Sequence, residues 1–513
     1  MDTDSSSASG EHSGAKVEHR ASMLRSVAWN YAGYACDLVS GILLLAYVVR
    51  RVSPTEYGLL LLAGSLSTLL YLMDLGLFNI LVQAYVEAAE THNKQKLEAL
   101  LSTTFIVLAG LGTIGLGIFL VTTSLLPGPF KIPPQYLGET KTVFCLMGLL
   151  VQIGLPTTAL DQIYQAFHRF DRTNQIQFLG TVIRVLLTVL ALAAGYGIVA
   201  LAAIQVVLAA VRIGMLWLFL PSIGPGIRLK FGGFDWNLLR PLLRPGGWAW
   251  AENISRQLAV VSDSLILGMF GSMDAVALFG MGGKLPAHVS TVVSRGAIVV
   301  LPAFSRHGSG TSESRRIYIN TLAVVFGGAL PVVVLGCMCA RPLMQIWAGD
   351  RYVGAAPIMQ WLLLAAFSMA IEHPSDLLLY GTGHVKTAAR IAIFESVANI
   401  IVSLLLVSRY GAVGLAAGTA LTHSAINAFW YTPAACSVAK ISPWKLIKAA
   451  FYRLGWPSLL LILEIIVIWF LYSFAFSARV IVCAGIASGM LYVALWAVRT
   501  VIPLSRTPME AIN

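Results

Sequence analysis

The sequence predicts an all-α polytopic membrane protein, on three observations. Of its 513 residues, 57% are hydrophobic and only 12% are charged, whereas a soluble domain carries about 25% charged residues. The apolar residues gather in blocks that reach the ~20 residues needed to cross a ~30 Å hydrocarbon core, and fourteen such blocks can be counted. The basic residues cluster in alternate loops, the pattern that sets membrane orientation. With a mean hydropathy of +0.77, these features exclude an ordinary soluble enzyme, which at this length would divide into roughly three or four domains.

Residues 1–24 are polar and Ser-rich, with no apolar signal region or small-residue cleavage site, and read as a disordered cytoplasmic tail. The first span then acts as an uncleaved anchor. Spans 1–6, over 25–220, make an N-lobe: 25–49, 58–86, 99–126, 142–166, 175–194 and 198–220. Residues 221–245 form a cytoplasmic amphipathic linker. Spans 7–12, over 246–438, make a C-lobe: 246–270, 276–304, 317–347, 354–380, 388–408 and 412–438. A second amphipathic linker at 439–453 precedes two additional spans at 454–476 and 478–498, and a cytoplasmic tail closes the chain at 499–513. Placing both termini in the cytoplasm puts 22 of the 35 Lys and Arg residues inside, eight outside and five within spans, which satisfies the positive-inside rule. The net charge of +11 therefore describes orientation, and no nucleic-acid partner is expected. The six cysteines fall in apolar blocks with neither disulfide-framework nor zinc spacing.

An internal repeat relates the two lobes. Tyr196-Gly197-Ile198-Val199-Ala200-Leu201-Ala202-Ala203 recurs as Tyr410-Gly411-Ala412-Val413-Gly414-Leu415-Ala416-Ala417, a shift of 214 that also aligns Arg172-Thr173 with Lys386-Thr387. Trp236-Asn237-Leu238-Leu239-Arg240 is echoed by Trp444-Lys445-Leu446-Ile447-Lys448, and both segments suit helices at the cytoplasmic lipid surface. Six spans per unit is an even number, so the repeat is parallel, about an axis along the membrane normal, an arrangement found in transporters. The competing reading is chance recurrence in Ala-rich apolar sequence.

Charges kept inside spans usually face a bundle interior or a wet cavity. Span 7 carries Glu252, Asn253, Arg256, Gln257 and Asp263; Glu252 and Arg256 are one turn apart, and Asp263 shares their face. In span 8, Lys284, His288 and Arg295 fall within about 40° on a helical wheel. This cationic stripe suits a phosphate or pyrophosphate; internal pairing with Glu252, Asp263 or an N-lobe acid is the alternative. Asp37, Asp74 and Asp161 lie in the N-lobe with Arg184 and Arg212, and Glu372, Asp376, Glu395 and Glu464 in later spans. Any of these acids could carry a coupling proton or Na⁺, although for a single one a plain interhelical hydrogen bond is the commoner role.

Several apparent motifs carry no chemistry. Gly110-Leu111-Gly112-Thr113-Ile114-Gly115 matches a dinucleotide fingerprint but lies in an apolar span with no preceding strand, which makes it close-packing glycine. Gly282-Gly283-Lys284-Leu285 is not a P-loop, the nine histidines show no metal-ligand spacing, and Gly414 to Gly418 is a small-xxx-small contact. No loop is long enough for a catalytic domain. No enzyme activity, catalytic residue, metal site or organic cofactor is expected.

Trp29-Asn30, then Arg50-Arg51-Val52-Ser53-Pro54-Thr55-Glu56-Tyr57-Gly58, then Asp74-Leu75-Gly76-Leu77 resembles the opening of bacterial polysaccharide flippases. Ala277-Leu278-Phe279-Gly280 before Gly283-Lys284-Leu285 repeats the theme. These flippases are the Wzx-like oligosaccharide-lipid translocases of the multidrug/oligosaccharidyl-lipid/polysaccharide (MOP) exporter superfamily. The resemblance implies two six-helix lobes in a V around a cationic cavity. Alternating access would carry an undecaprenyl-pyrophosphate-linked oligosaccharide, a precursor of O-antigen lipopolysaccharide or exopolysaccharide, across the bacterial inner membrane. It further implies that Arg256, Lys284 and Arg295 hold the pyrophosphate, that Arg50 or Arg51 assists at the outer mouth, and that H⁺ or Na⁺ coupling falls to Asp74 or Asp263. Asp37, Glu252 and His288 are the further polar groups of that cavity. The spans at 454–498 would groove the lipid tail, as in the lipid II flippase branch. Membrane lipids, a polysaccharide polymerase and a chain-length regulator are the implied partners. A drug/cation antiporter of the same superfamily and a non-transporting scaffold of a polysaccharide synthesis complex are the alternatives.

Overall fold

The computed structural model describes residues 39–496 apart from 72–76, 92, 126–128, 224–225, 230–233, 244–246, 447, 449–456 and 474–475, and among the described residues there is no strand. In chain order the helices are α1 (39–51), α2 (Pro54–Tyr71), α3 (Leu77–Glu90), α4 (Lys94–Leu125), α5 (Leu137–Ala166), α6 (Phe170–Ala193) and α7 (Ile198–Phe219). They continue with α8 (Trp236–Leu239), α9 (Gly247–Phe270), α10 (Met273–Ala297), α11 (Leu301–His307), α12 (Ser312–Met338), α13 (Ala340–Trp347), α14 (Ala356–Gly381) and α15 (Val385–Ile426). α16 (Thr432–Ala439), α17 (443–446), α18 (Pro457–Ser473) and α19 (Ala478–Trp496) complete the order. Two compact units emerge. One is drawn from the chain up to Val52, Ser67–Leu126 and Pro134–Gly247; the other from Ser53–Leu66, Pro127–Pro133 and Trp248 onward.

Among the described residues eight helical stretches are long and apolar enough to cross a membrane, and a ninth if α10 and α11, bent by 42°, form one span. The spans expected at 25–49, 58–86 and 454–476 fall partly outside the described residues. α9 has the length of a span, but Glu252, Asn253, Arg256, Gln257 and Asp263 set its composition apart from the others.

In the first unit α4 and α5 meet through the glycines. A Cβ on Gly112 would stand 3.0 Å from the backbone of Gln152, one on Gly115 2.9 Å from Val151, and one on Gly148 2.9 Å from Phe119. Gly110 of the same run faces open space. Overpacking a tight helix contact costs about 1–3 kcal/mol, so Gly112→Leu is expected to lower the unfolding temperature of the detergent-solubilised protein. Gly110→Leu should not lower it, and equal unfolding temperatures for the two variants would contradict this packing.

In the second unit the chain enters α2 through a capping box. The Ser53 N–H donates to Glu56 Oε2 at 2.8 Å and the Glu56 N–H donates to Ser53 Oγ at 3.2 Å, with Pro54 at the first helical position. Gly58 one turn on lets the helix approach the start of α10, where a Cβ would overlap the Met273 carbonyl oxygen at 2.0 Å. Thr55 donates to Asp274 at 2.6 Å across the same junction.

The two copies of the repeat differ at their Tyr-Gly step: Gly411 has φ 58°, whereas its equivalent Gly197 has φ −92°, and the positive-φ glycine of the first copy is Gly195, just before Tyr196. At Gly411 the long run α15 breaks and doubles back, and Gly418 then packs against Val402 and Ser403 of its first half. The turn at Gly411 falls between the expected spans 388–408 and 412–438, and beyond Ile426 the second arm passes through the turn Asn427–Tyr431 into α16. Trp236 and Trp444 are exposed in the first turns of α8 and α17, and each of these helices also buries a leucine, Leu239 and Leu446.

Candidate functional site

Polar side chains of the second unit converge where α9, α14 and the two arms of α15 pack together. α9 supplies Glu252 and Arg256, four apart on one face. α14 supplies Glu372, Asp376 and Tyr380, again at intervals of four. The turn at Gly411 returns the second arm of α15 alongside the first, which brings His423 back to Glu395 although 28 residues separate them. A π-helical turn, Asn427–Tyr431, ends this arm and aims Tyr431 inward. Such turns occur frequently at functional sites. Asn427 anchors it, donating to the Ser368 carbonyl at 2.9 Å and accepting from Thr432.

Arg256 is the hub. Its Nε donates to Glu252 Oε1 at 3.1 Å, one terminal nitrogen to Glu372 Oε1 at 2.9 Å, and the other to the Tyr431 hydroxyl at 3.0 Å while standing 3.6 Å from Asp376. Tyr431 in turn donates to Asp376 Oδ1 at 2.9 Å, and Tyr380 donates to Glu252 Oε2. Glu372, Glu395 and His423 offer ligand atoms within 4.8 Å of one another, and His423 Nδ1 stands 2.7 Å from Glu395. Glu252, Glu372 and Glu395 are each no more than 3% exposed. Glu372 Oε2 has no hydrogen-bond partner among the described residues. Among the described residues four carboxylates therefore stand with one permanent cation and the His423 imidazole, and His373 is near enough to Asp376 and Arg256 to interact with both. Buried charge of this kind is stable only when balanced, so the set has the composition of a site that takes up a proton or a cation.

The residues predicted from sequence divide as follows. Arg256 and Glu252 pair as the one-turn spacing allows. Asp263, two turns along α9, is buried and accepts from Thr419 at 3.3 Å, while its other oxygen has no hydrogen-bond partner among the described residues. Lys284 and His288 are half-buried on α10, and Arg295 is exposed in its last turn. Among the described residues no ion pair joins Lys284 to a carboxylate. Arg50 and Arg51 are exposed at the end of α1, with the Arg51 guanidinium 5.3 Å from the Tyr47 ring. Asp37 and Asp74 lie outside the described residues. In the first unit Asp161 pairs with Arg212 at 2.9 Å.

His423, Tyr380 and Tyr431 escaped the sequence reading, and Glu372, Asp376 and Glu395 entered it singly. The spacing of four that joins Glu372, Asp376 and Tyr380 was readable; the return of His423 to Glu395 depends on the fold.

A family model described as polysaccharide biosynthesis protein matches residues 47–357, and one described as lipid II flippase MurJ matches residues 284–484. A curated relative, the putative O-antigen transporter of Shigella flexneri, is 22% identical over 396 residues, covering 77% of this chain and 93% of the relative. Among solved structures, lipid II flippase MurJ in an inward closed conformation superposes with a TM-score of 0.65 at 15% identity over 94% of this chain and 100% of that one. An inward-facing multidrug resistance MATE family transporter of the MOP superfamily gives 0.60 at 15% identity over 81% and 96%. The fold expected from the sequence, an all-α transporter fold of this superfamily, is the one observed. Since the first of these models spans more than half of its length, the chain belongs to the polysaccharide biosynthesis protein family.

Proposed function

We propose that this multi-pass membrane protein is a flippase, not an enzyme, that moves a lipid-linked oligosaccharide precursor of a surface polysaccharide across the bacterial inner membrane by proton-coupled alternating access. Family membership and the O-antigen transporter relative support the substrate class. The buried excess of carboxylates around Arg256 carries the coupling. Glu372, Glu395 and His423 form the proton-accepting part, and the imidazole nitrogen among them favours a proton over Na⁺, which prefers oxygen ligands. Lys284, half-buried and without an ion pair among the described residues, is the charge free to meet the diphosphate.

The test is translocation of a lipid-linked oligosaccharide by purified protein in proteoliposomes, with and without a proton or Na⁺ gradient. Proton-stimulated appearance of the glycan on the far leaflet is the expected result. Losing one charge-assisted contact costs about 1.5–3 kcal/mol, so Lys284→Ala is expected to cut the rate at least about tenfold while leaving folded yield unchanged. One observation favours a second reading: an acid-rich cluster also suits an antiporter of cationic drugs. Gradient-driven efflux of a cationic dye without glycan translocation would establish that instead.

A further inference from the structure

The fold of the second unit gathers three side chains that no spacing in the sequence joins: Glu372 of α14, Glu395 of the first arm of α15 and His423 of the second. Each offers one ligand atom, and the three atoms lie within 4.8 Å of one another. All three residues are buried. The doubling back of α15 at Gly411 sets His423 Nδ1 2.7 Å from Glu395, and α14 packs against α15 to bring in Glu372. Glu372 is only half bonded. Its Oε1 accepts from Arg256 at 2.9 Å, which orients the carboxyl group, while Oε2 is buried with no hydrogen-bond partner among the described residues. A buried carboxylate oxygen is costly to leave unmade, so this one calls for a further partner.

The donor set selects the partner. Mg²⁺ and Ca²⁺ take oxygen ligands, as does Na⁺, whereas one imidazole nitrogen beside two carboxylate oxygens suits Zn²⁺. Three protein ligands with a fourth position left open is a coordination that Zn²⁺ adopts, and bonds of 2.0–2.2 Å put tetrahedral ligand atoms about 3.3–3.6 Å apart. The 2.7 Å contact between His423 and Glu395 would lengthen and Glu372 would close in, shifts that side-chain torsions absorb. Arg256 on Glu372 Oε1 is the outer contact that holds a ligating carboxylate in place. The charge agrees as well, because a dication enters a buried set in which carboxylates outnumber the permanent cation.

We propose that Glu372, Glu395 and His423 form a Zn²⁺ site, and that the bound ion ties α14 to both arms of α15. The absence of metal-ligand spacing among the histidines does not count against it, since its ligands come from three helical segments and only the fold assembles them. An ion that clamps these helices holds them in one arrangement, so Zn²⁺ should arrest transport. That consequence rests on the flippase reading; the binding of the metal does not.

The experiment is calorimetric titration of the tag-free full-length protein, stripped of metal with a chelator and held in nanodiscs, with Zn²⁺, Mg²⁺ and Na⁺. Zn²⁺ should fill one saturable site and keep it against an excess of about a hundredfold of either hard cation. His423→Gln and Glu395→Gln should each weaken that binding by at least about tenfold, the lower bound for loss of a contact that supports a metal. Glu464→Gln, which alters a buried carboxyl of α18 outside the set, should leave it unchanged. Co²⁺ in place of Zn²⁺ adds a spectroscopic readout, a visible absorption band of the four-coordinate ion that wild type shows and both ligand variants lack. Glu395→Gln carries the test by itself if His423→Gln yields no monodisperse protein. Absence of a saturable Zn²⁺ site, displacement by Mg²⁺ or Na⁺ at that excess, or Zn²⁺ binding of wild-type strength in a folded ligand variant would each overturn the proposal. Zn²⁺ binding sensitive to these ligands, in a protein that without Zn²⁺ translocates no lipid-linked oligosaccharide under any gradient, would retain the metal site and remove the flippase reading.

Discussion

Arg256→Ala is expected to destabilise the protein by about 3–5 kcal/mol, the cost of breaking a buried ion pair by removing one partner. The guanidinium holds Glu252 at 3.1 Å and Glu372 at 2.9 Å, and its loss strands both, with Asp376 beside them. Thermal unfolding in detergent, read beside the yield of monodisperse protein, measures the effect. Arg256→Lys should fall between wild type and alanine, because one ammonium cannot serve two carboxylates and the Tyr431 hydroxyl in the geometry of a planar fork. Lys284→Ala is the control, and it should unfold with wild type. Wild-type thermal stability of Arg256→Ala would mean that the carboxylates are balanced by something other than this arginine. The comparison also decides how lost export is read: in Lys284→Ala it reports on substrate, whereas in Arg256→Ala it first reports on folding.

The balance of what was legible in the sequence follows from the range of each interaction. Helices come from local composition and periodicity, and the all-α fold was legible for that reason. The Glu252–Arg256 pair is one turn long and was equally visible. The run from Ser53 to Glu56 was read as a family motif, and its local physics, a capping box with serine and glutamate three apart, was there to be seen as well. By contrast, the partners of Arg256 on α14 lie 116 and 120 residues away. Their identity depends on which helices neighbour α9, and periodicity within a helix carries no information about that. The assignment of Arg256 to an anionic substrate and its alternative, internal pairing, looked alike for this reason. The glycines divide the same way: the run from Gly110 to Gly115 was read as packing, but only the fold separates Gly112 and Gly115, which touch α5, from Gly110, which touches nothing.

Removing a negative charge from the Arg256 cluster is expected to have the opposite consequence to removing the positive one. Glu372→Gln keeps an oxygen for the 2.9 Å contact with Arg256 and relieves a site in which carboxylates outnumber cations. Stability should therefore hold or rise, since buried unbalanced charge is the destabilising feature. Transport should respond differently. Coupling free energies of 1–3 kcal/mol correspond to about 5–150-fold effects, and proton-stimulated translocation should fall by a factor in that range, while slow equilibration without a gradient continues. Glu395→Gln should act alike, because it removes the carboxylate standing 2.7 Å from His423. The two readouts together separate coupling from folding: a coupling residue loses the gradient response in a protein at least as stable as wild type, whereas a structural one loses both. Full proton stimulation in both variants would take coupling away from this cluster and leave Asp263, buried on α9 with one oxygen unpartnered among the described residues, as the next residue to substitute. Retained stimulation by Na⁺ alone would show that the carboxylates of the second unit serve as ligands to a hard cation and that His423 stands beside the path rather than on it.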